Sequence, residues 1–96
     1  MNTRTATYTA NVWNMNETEA ATEMATLVRT ARNLNAARVA GKAYAVGQKG
    51  YNKFWALMGR MEIVAQCAAA TWGELTGFAG ATAGEIFGSA SNAVSA

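Results

Sequence analysis

The sequence predicts an all-α protein, and three observations support this fold class. The 96-residue chain contains no proline, so no residue in it forbids long uninterrupted helices. Apolar residues recur from residue 39 onward every three or four positions, which is the period of an α-helix. Alanine supplies much of the 51% apolar content, and such small side chains let helices approach one another closely.

The N-terminal segment is the exception to the helical pattern. In residues 2–12, NTRTATYTANV, threonine alternates with Arg4, Ala6, Tyr8, Ala10 and Val12. A period of two with threonine, tyrosine and valine is typical of a strand. The chain carries no second strand pattern, and a lone strand is not stable by itself. We therefore expect residues 1–15 to be an extended arm, either flexible or added to a partner's sheet edge.

A short helix is predicted to start at Glu17. Asn16 is a favourable N-cap residue, and Glu19 three positions later completes a capping-box pattern. The apolar face of this helix contains Ala20, Met24, Leu27, Val28 and Ala31. Extended at 3.6 residues per turn, that face reaches the polar Asn35. We therefore expect a turn near 33–35.

The following segment predicts a long amphipathic helix from residue 39 to residue 79. Val39, Gly50, Met61, Trp72 and Ala83 are spaced as a hendecad, which keeps an apolar stripe nearly straight along a helix. The segment Gly47-Gln48-Lys49-Gly50 would also suit a turn. A helical hairpin turning at 47–50 is therefore the alternative. The helical domain is predicted over residues 16–80.

The C-terminus, residues 81–96, is expected to be a weakly ordered tail of alanine, glycine and serine, or a weak helix. Five glycines recur every three or four positions, at Gly73, Gly77, Gly80, Gly84 and Gly88. This spacing suits close helix contact as well as a loosely ordered tail. The single cysteine, Cys67, falls on the polar side of the long helix and fits a reducing compartment. A cytoplasmic location is expected, with a virion as the alternative.

Enzymatic chemistry is poorly supported, so the sequence assigns no catalytic residue. The chain has no histidine and no aspartate, which removes the usual proton shuttle and any Ser-His or Cys-His pair. One cysteine and scattered glutamates predict no metal site and no cofactor. No phosphate-cradling glycine loop with a trailing lysine is present, and no small-molecule substrate is expected.

The apolar stripe of the long helix predicts assembly. A helix over residues 17–32 would be about 24 Å long, whereas the stripe would extend for about 60 Å. The uncovered remainder would be a large apolar strip, which soluble monomers avoid. We therefore expect a homo-oligomer or docking onto another protein. The interaction seam contains Val39, Val46, Phe54, Leu57, Met58, Met61, Val64, Trp72 and Leu75. The composition would suit a phage or mobile-element accessory protein, either a minor virion component or an inhibitor of a host protein.

The charged residues are distributed unevenly along the chain. The net charge is +2, but residues 24–61 contain seven basic side chains and no acidic one. On a continuous helix, a row about 33 Å long would form from Arg38, Lys42, Lys49, Lys53 and Arg60. Such a row could follow a phosphate backbone, or it is the solvated face that every amphipathic helix needs. Nucleic-acid binding is thus the second function considered. A membrane-active helix is the third, although no run of about 20 uncharged apolar residues exists.

Overall fold

The structure, a computed structural model, describes residues 3–96 as four α-helices. These are α1 (Thr3–Trp13), α2 (Glu17–Val39), α3 (Gly47–Thr71) and α4 (Ala83–Ser95), and a short 3-10 helix (Ala43–Ala45) lies between α2 and α3. The described part of the chain contains no strand, only an isolated bridge between Leu75 and Phe78. The predicted all-α class is therefore confirmed for these residues.

Helix α2 begins at Glu17, where the sequence predicted a helix start. The Asn16 side-chain oxygen accepts the Glu19 N–H at 2.8 Å, and the Glu19 carboxylate accepts the Asn16 N–H at 3.0 Å. The predicted turn near 33–35 is wrong, because α2 continues to Val39. Its buried face passes through Leu34, three residues after Ala31, so the helix needs no break to stay against the core.

The chain reverses between α2 and α3, over residues 40–46. The predicted continuous helix from 39 to 79 is therefore wrong, and so is the hairpin turning at 47–50, because those residues form the first turn of α3. Gly41 and Gly47 both have a φ of 76°, a conformation that glycine adopts easily and that interrupts a helix. Helices α2 and α3, joined by this short connection, pack as an antiparallel pair.

The N-terminal segment is a helix rather than the predicted extended arm. Val12 is completely buried and Tyr8, four residues earlier on the same face, packs against the core. The Thr9 hydroxyl donates to the Thr5 carbonyl at 2.8 Å, so this β-branched side chain is satisfied within the helix. Tertiary contacts thus outweigh the strand propensity of residues 3–12. Residues 1 and 2 of the predicted arm lie outside the described residues.

The C-terminal segment forms a capped helix, so of the two predicted alternatives the helix is observed and the weakly ordered tail is not. The Thr82 hydroxyl accepts the Glu85 N–H at 3.1 Å, and the Glu85 carboxylate accepts the Thr82 N–H at 3.1 Å. Ile86 and Ala90 of α4 are completely buried. The connection before α4 contains Gly73, Gly77 and Gly80, all with positive φ, so these glycines make turns and not a helix-contact face.

The core lies between α2, α3 and α4, and α1 closes one side of it. Its largest fully buried side chains include Met24, Met61 and Ile86. Cys67 is also buried, contrary to its predicted polar position, and its Sγ lies 3.8 Å from the Val12 carbonyl oxygen of α1. The 13 residues of α4 extend for about 20 Å and the 25 residues of α3 for about 37 Å. Helix α4 can therefore cover only about half of α3.

Two glycines of α3 allow a matched test of the chain reversal. A Cβ added at Gly50 would overlap the backbone carbonyl of Ala45, whereas one added at Gly59 would meet nothing within 4 Å. We expect Gly50→Ala to lower the free energy of unfolding by about 1–3 kcal/mol through this overlap. Gly59→Ala should raise it by about 1 kcal/mol through helix propensity. Urea denaturation of both variants measures this, and equal effects would contradict the close contact at Gly50.

Glu85 makes the stability of α4 sensitive to acid. The Ala81 N–H, the Thr82 N–H and the Thr82 hydroxyl hydrogen-bond to its carboxylate and lower its pKa. A carboxylate with a lowered folded-state pKa stabilises the protein above its ordinary pKa, and this contribution is lost as the pH falls through the lowered value. Glu85→Gln keeps the shape of the cap without the charge. The difference in Tm between the native protein and this variant should shrink as the pH is lowered. A difference in Tm that does not change with pH would contradict the stabilising role of the Glu85 charge.

Candidate functional site

An open groove lies between the last turns of α2 and the first turns of α3. Its volume is about 520 Å³. The lining is mostly apolar and comes from Leu34, Asn35, Arg38, Ala45, Val46, Gly47, Gly50, Tyr51, Phe54 and Trp55. We call this surface the α2–α3 groove. The Asn35 amide and the Arg38 guanidinium are its amide and charged groups, and Arg38 donates a hydrogen bond to the Asn35 side-chain oxygen at 3.2 Å.

Three large aromatic side chains are exposed in or near the groove. Tyr51 is 61% exposed and Trp55 is 53% exposed, and both line it. Tyr44, in the connection between the helices, is 69% exposed. The Trp55 ring packs edge-on against Tyr51 and Phe54, with ring centroids 6.3 and 5.6 Å apart. Clustered exposed aromatic side chains mark binding surfaces. The sequence prediction omitted these three from the seam, although the four-residue spacing of Tyr51 and Trp55 places them on one helix face.

The groove is open because nothing covers this end of the helix pair. Tyr51 and Trp55 lie at the border of the buried face of α3, because Gly59, Glu62 and Gln66, which follow Trp55 on its side of the helix, are exposed. The two rings therefore flank the groove, and Phe54, which is partly buried, lies between them and the core. Helix α4 packs on both α2 and α3, but it is too short to cover the full length of α3.

The predicted interaction seam is divided between the core and the surface. Met58, Met61, Val64 and Leu75 are buried within the chain itself, and Phe54, Leu57 and Trp72 are partly buried. The expectation that this strip would be left in water is therefore wrong for most of its length, because α2 and α4 cover it. Val39 and Val46 are exposed. Of the nine seam residues, only Val46 and Phe54 line the groove.

The predicted basic row is not a single row. Arg38 belongs to α2, Lys42 lies in the connection, and the other three residues lie on α3. Lys49, Lys53 and Arg60 share one flank of α3, at steps of four and seven residues. Residues two apart on a helix point about 200° apart. The lysines therefore project from the flank opposite Tyr51 and Trp55, away from the groove.

The chain reversal separates the charges of the molecule into two ends. The end of α2 and the start of α3 belong to the segment 24–61, which has no acidic residue. The opposite end contains the start of α2 and the loop after α3, with Glu17, Glu19 and Glu74. The Thr76 hydroxyl donates to the Glu17 carboxylate at 2.7 Å and ties that loop to α2. Residues 61–96 and 5–28 contain no basic side chain. The molecule thus has a basic end at the groove and an acidic end opposite.

A second polar cluster attaches α1 to the helix pair. The Tyr8 hydroxyl donates to the Glu23 carboxylate of α2, and the Arg60 guanidinium of α3 lies 4.5 Å from the centre of the Tyr8 ring. Burial of Tyr8 raises the pKa of its hydroxyl, and Glu23 raises this pKa further by accepting the hydrogen bond and by its charge. A second depression, of about 470 Å³, lies beside Tyr8, and its lining includes Arg4, Tyr8 and Arg60. Arg60 therefore helps to hold α1 against α3.

The described residues bring together little that could perform covalent chemistry. Cys67 is almost completely buried, and a thiol in apolar surroundings is a poor nucleophile. Within residues 3–96, no three side chains of the metal-binding types converge on one point. None of the helices in that range combines the length and the apolar content needed to cross a bilayer.

Comparison with known proteins identified no matching family model, no matching curated protein and no matching solved structure. The groove, its exposed aromatic side chains and the separation of charge are therefore the observations on which a function can be proposed.

The Tyr8 cluster provides a test of how α1 is held. We expect Tyr8→Phe to lower the free energy of unfolding by about 1 kcal/mol at neutral pH, because Glu23 loses its hydrogen-bond donor. A raised folded-state pKa means that this contribution is present below the ordinary tyrosine pKa and is lost as the pH rises above it. The difference between the native protein and the variant should therefore shrink above pH ~10. Guanidinium denaturation across that range measures it, and a difference independent of pH would contradict the linkage.

Proposed function

We propose that the protein is a non-enzymatic interaction module that docks onto a protein through the α2–α3 groove. The observation that carries this proposal is the exposure of Tyr51 and Trp55 beside an apolar groove that Leu34, Val46 and Phe54 also line. A partner segment placed in the groove would bury the first turns of α3, which α4 does not reach. Grooves between helices are a common docking site for apolar faces of partner segments.

The chemistry of the groove defines the kind of segment that it would accept. The walls are apolar and aromatic, so the segment needs an apolar or aromatic anchor. Arg38 lines the groove, Lys42 lies in the neighbouring connection, and the segment 24–61 contributes no negative charge. Acidic side chains around the anchor would therefore be favoured, by direct pairing and by steering during approach.

Nucleic-acid binding is the second candidate function, and the exposed Lys49 and Lys53 are the observation in its favour. Single-stranded nucleic acids bind where aromatic rings for base stacking accompany the basic groups. Here the lysines and the aromatic pair Tyr51 and Trp55 occupy opposite flanks of α3, which favours a protein partner instead. The membrane-active helix remains a prediction without a supporting contact. The phage or mobile-element accessory role rests on composition and also stays a prediction.

Synthetic probes test the docking proposal directly. A short designed helix with leucine and tryptophan anchors and a glutamate-rich polar face should bind the protein. A helix of the same apolar face with lysines should bind about tenfold more weakly or worse. Fluorescence anisotropy of labelled peptides measures both affinities. Amide chemical-shift changes should cluster in residues 34–55.

Two tryptophan variants locate the probe site. Trp55→Ala should weaken binding of the acidic probe by about tenfold or more, as expected for an aromatic anchor. Trp13→Ala is the matched control, because Trp13 is 48% exposed but lies at the other end of the helix pair. It should leave probe affinity unchanged when the protein is dilute enough to be monomeric. Tight binding of a labelled oligothymidylate, abolished by Lys49→Glu with Lys53→Glu, would favour the nucleic-acid function and count against this one.

A further inference from the structure

The acidic end of the molecule carries its own exposed anchor. Trp13, the last residue of α1, is 48% exposed. It precedes the start of α2, where Glu17 and Glu19 lie, and the bond from Thr76 to Glu17 brings the loop containing Glu74 to the same place. We call Trp13, Glu17, Glu19 and Glu74 the acidic corner. It has the two properties that the groove requires of a partner, an aromatic anchor and surrounding negative charge.

We propose that the acidic corner of one copy docks into the α2–α3 groove of a second copy, head to tail. This inference rests on the proposed docking function of the groove. In the complex, the Trp13 indole would pack on Tyr51 and Trp55 of the next molecule. The carboxylates of the corner would face Arg38 and Lys42 of that molecule. The groove volume of about 520 Å³ leaves room for an indole side chain.

The distribution of charge favours this arrangement over a symmetric one. A two-fold dimer that joined groove to groove would bring the basic ends of both copies, with Arg38 and Lys42, into one interface. Like charges placed together across an interface oppose association. The head-to-tail contact pairs the basic end with the acidic end and avoids this repulsion. Because each copy keeps one free corner and one free groove, the contact propagates into a ring or an open filament.

The acidic corner is already held in shape in the single chain. The capping box between Asn16 and Glu19 orders the start of α2, and the Thr76–Glu17 hydrogen bond holds the adjacent loop. Main-chain bonds from Asn14 to Asn11 and from Met15 to Val12 close the turn after α1. A preorganised segment loses less conformational entropy on binding than a flexible one. The acidic corner is therefore preorganised for docking.

Complementation between two variants tests the head-to-tail contact. Trp13→Ala removes the anchor and keeps the groove, whereas Trp55→Ala removes a groove wall and keeps the anchor. The native protein should form species larger than a dimer as its concentration rises, and each variant alone should self-associate about tenfold more weakly or worse. An equimolar mixture should form a heterodimer that grows no further, because only one intact contact is available. Sedimentation velocity measures all four samples, and circular dichroism checks that both variants stay folded.

A charge exchange provides an independent readout. Glu74→Lys and Lys42→Glu should each weaken self-association, and mixing the two variants should restore assembly beyond a dimer, because every contact between alternating copies again pairs opposite charges. Raising the ionic strength should weaken the native assembly through screening of the exposed charges.

Three results would overturn the head-to-tail contact. One is a native protein that stays monomeric up to millimolar concentration. Another is a loss of association in Trp55→Ala with none in Trp13→Ala, which indicates groove-to-groove pairing. The third is a mixture of the tryptophan variants that fails to associate. If the native protein is monomeric but the acidic probe helix still binds the groove, this inference fails and the docking function stands. If the probe also fails to bind, both fail.

Discussion

The structure depends on the chain reversal between α2 and α3. Gly41 and Gly47 adopt positive φ on either side of the short 3-10 helix, and Gly50 lies so close to the Ala45 carbonyl that no side chain fits there. This contact joins the start of α3 to the connection and directs α3 back along α2. The core of the described residues forms only because the two longest helices are antiparallel neighbours. Helices α1 and α4 then add to a pair that already presents apolar faces on both sides.

The same reversal converts a charge pattern in the sequence into a property of the molecule. Five of the seven basic residues in the middle of the chain would form a long row if the helix were continuous. Because the chain turns within this segment, Arg38, Lys42 and Lys49 gather around one end of a molecule whose longest extent is 39 Å. Glu17 and Glu19 from before the segment and Glu74 from after it meet at the other end, where Thr76 bonds to Glu17. The charge separation therefore follows from topology as much as from composition.

Parts of this fold were accessible from the sequence because their signals are local. The capping box of Asn16 and Glu19 predicted the start of α2 correctly, since it needs only residues three positions apart. The helix over residues 3–13 was missed because its alternating threonines satisfy strand patterns. Its stability comes instead from Tyr8 and Val12, whose partners lie far along the chain. The reversal was misplaced because the apolar period on both sides of Gly47 remains in phase, so periodicity alone could not distinguish a bend from a continuous helix.

The groove shows why an interface is harder to predict than a core. The sequence argument compared the length of an apolar stripe with the length of the helix available to cover it, and it expected residues such as Met58 and Met61 to be left over. In the structure, α4 lies where the sequence predicted a weakly ordered tail or a weak helix, Met58 and Met61 are buried, and the shortfall moves to the first turns of α3. The comparison of lengths is sound, but it identifies the uncovered residues only when the position of every covering helix is known. Since Tyr51 and Trp55 contribute little to the core, their identity is less constrained by folding than that of Met61. The proposed docking function would account for their exposure, which the packing of the chain does not require.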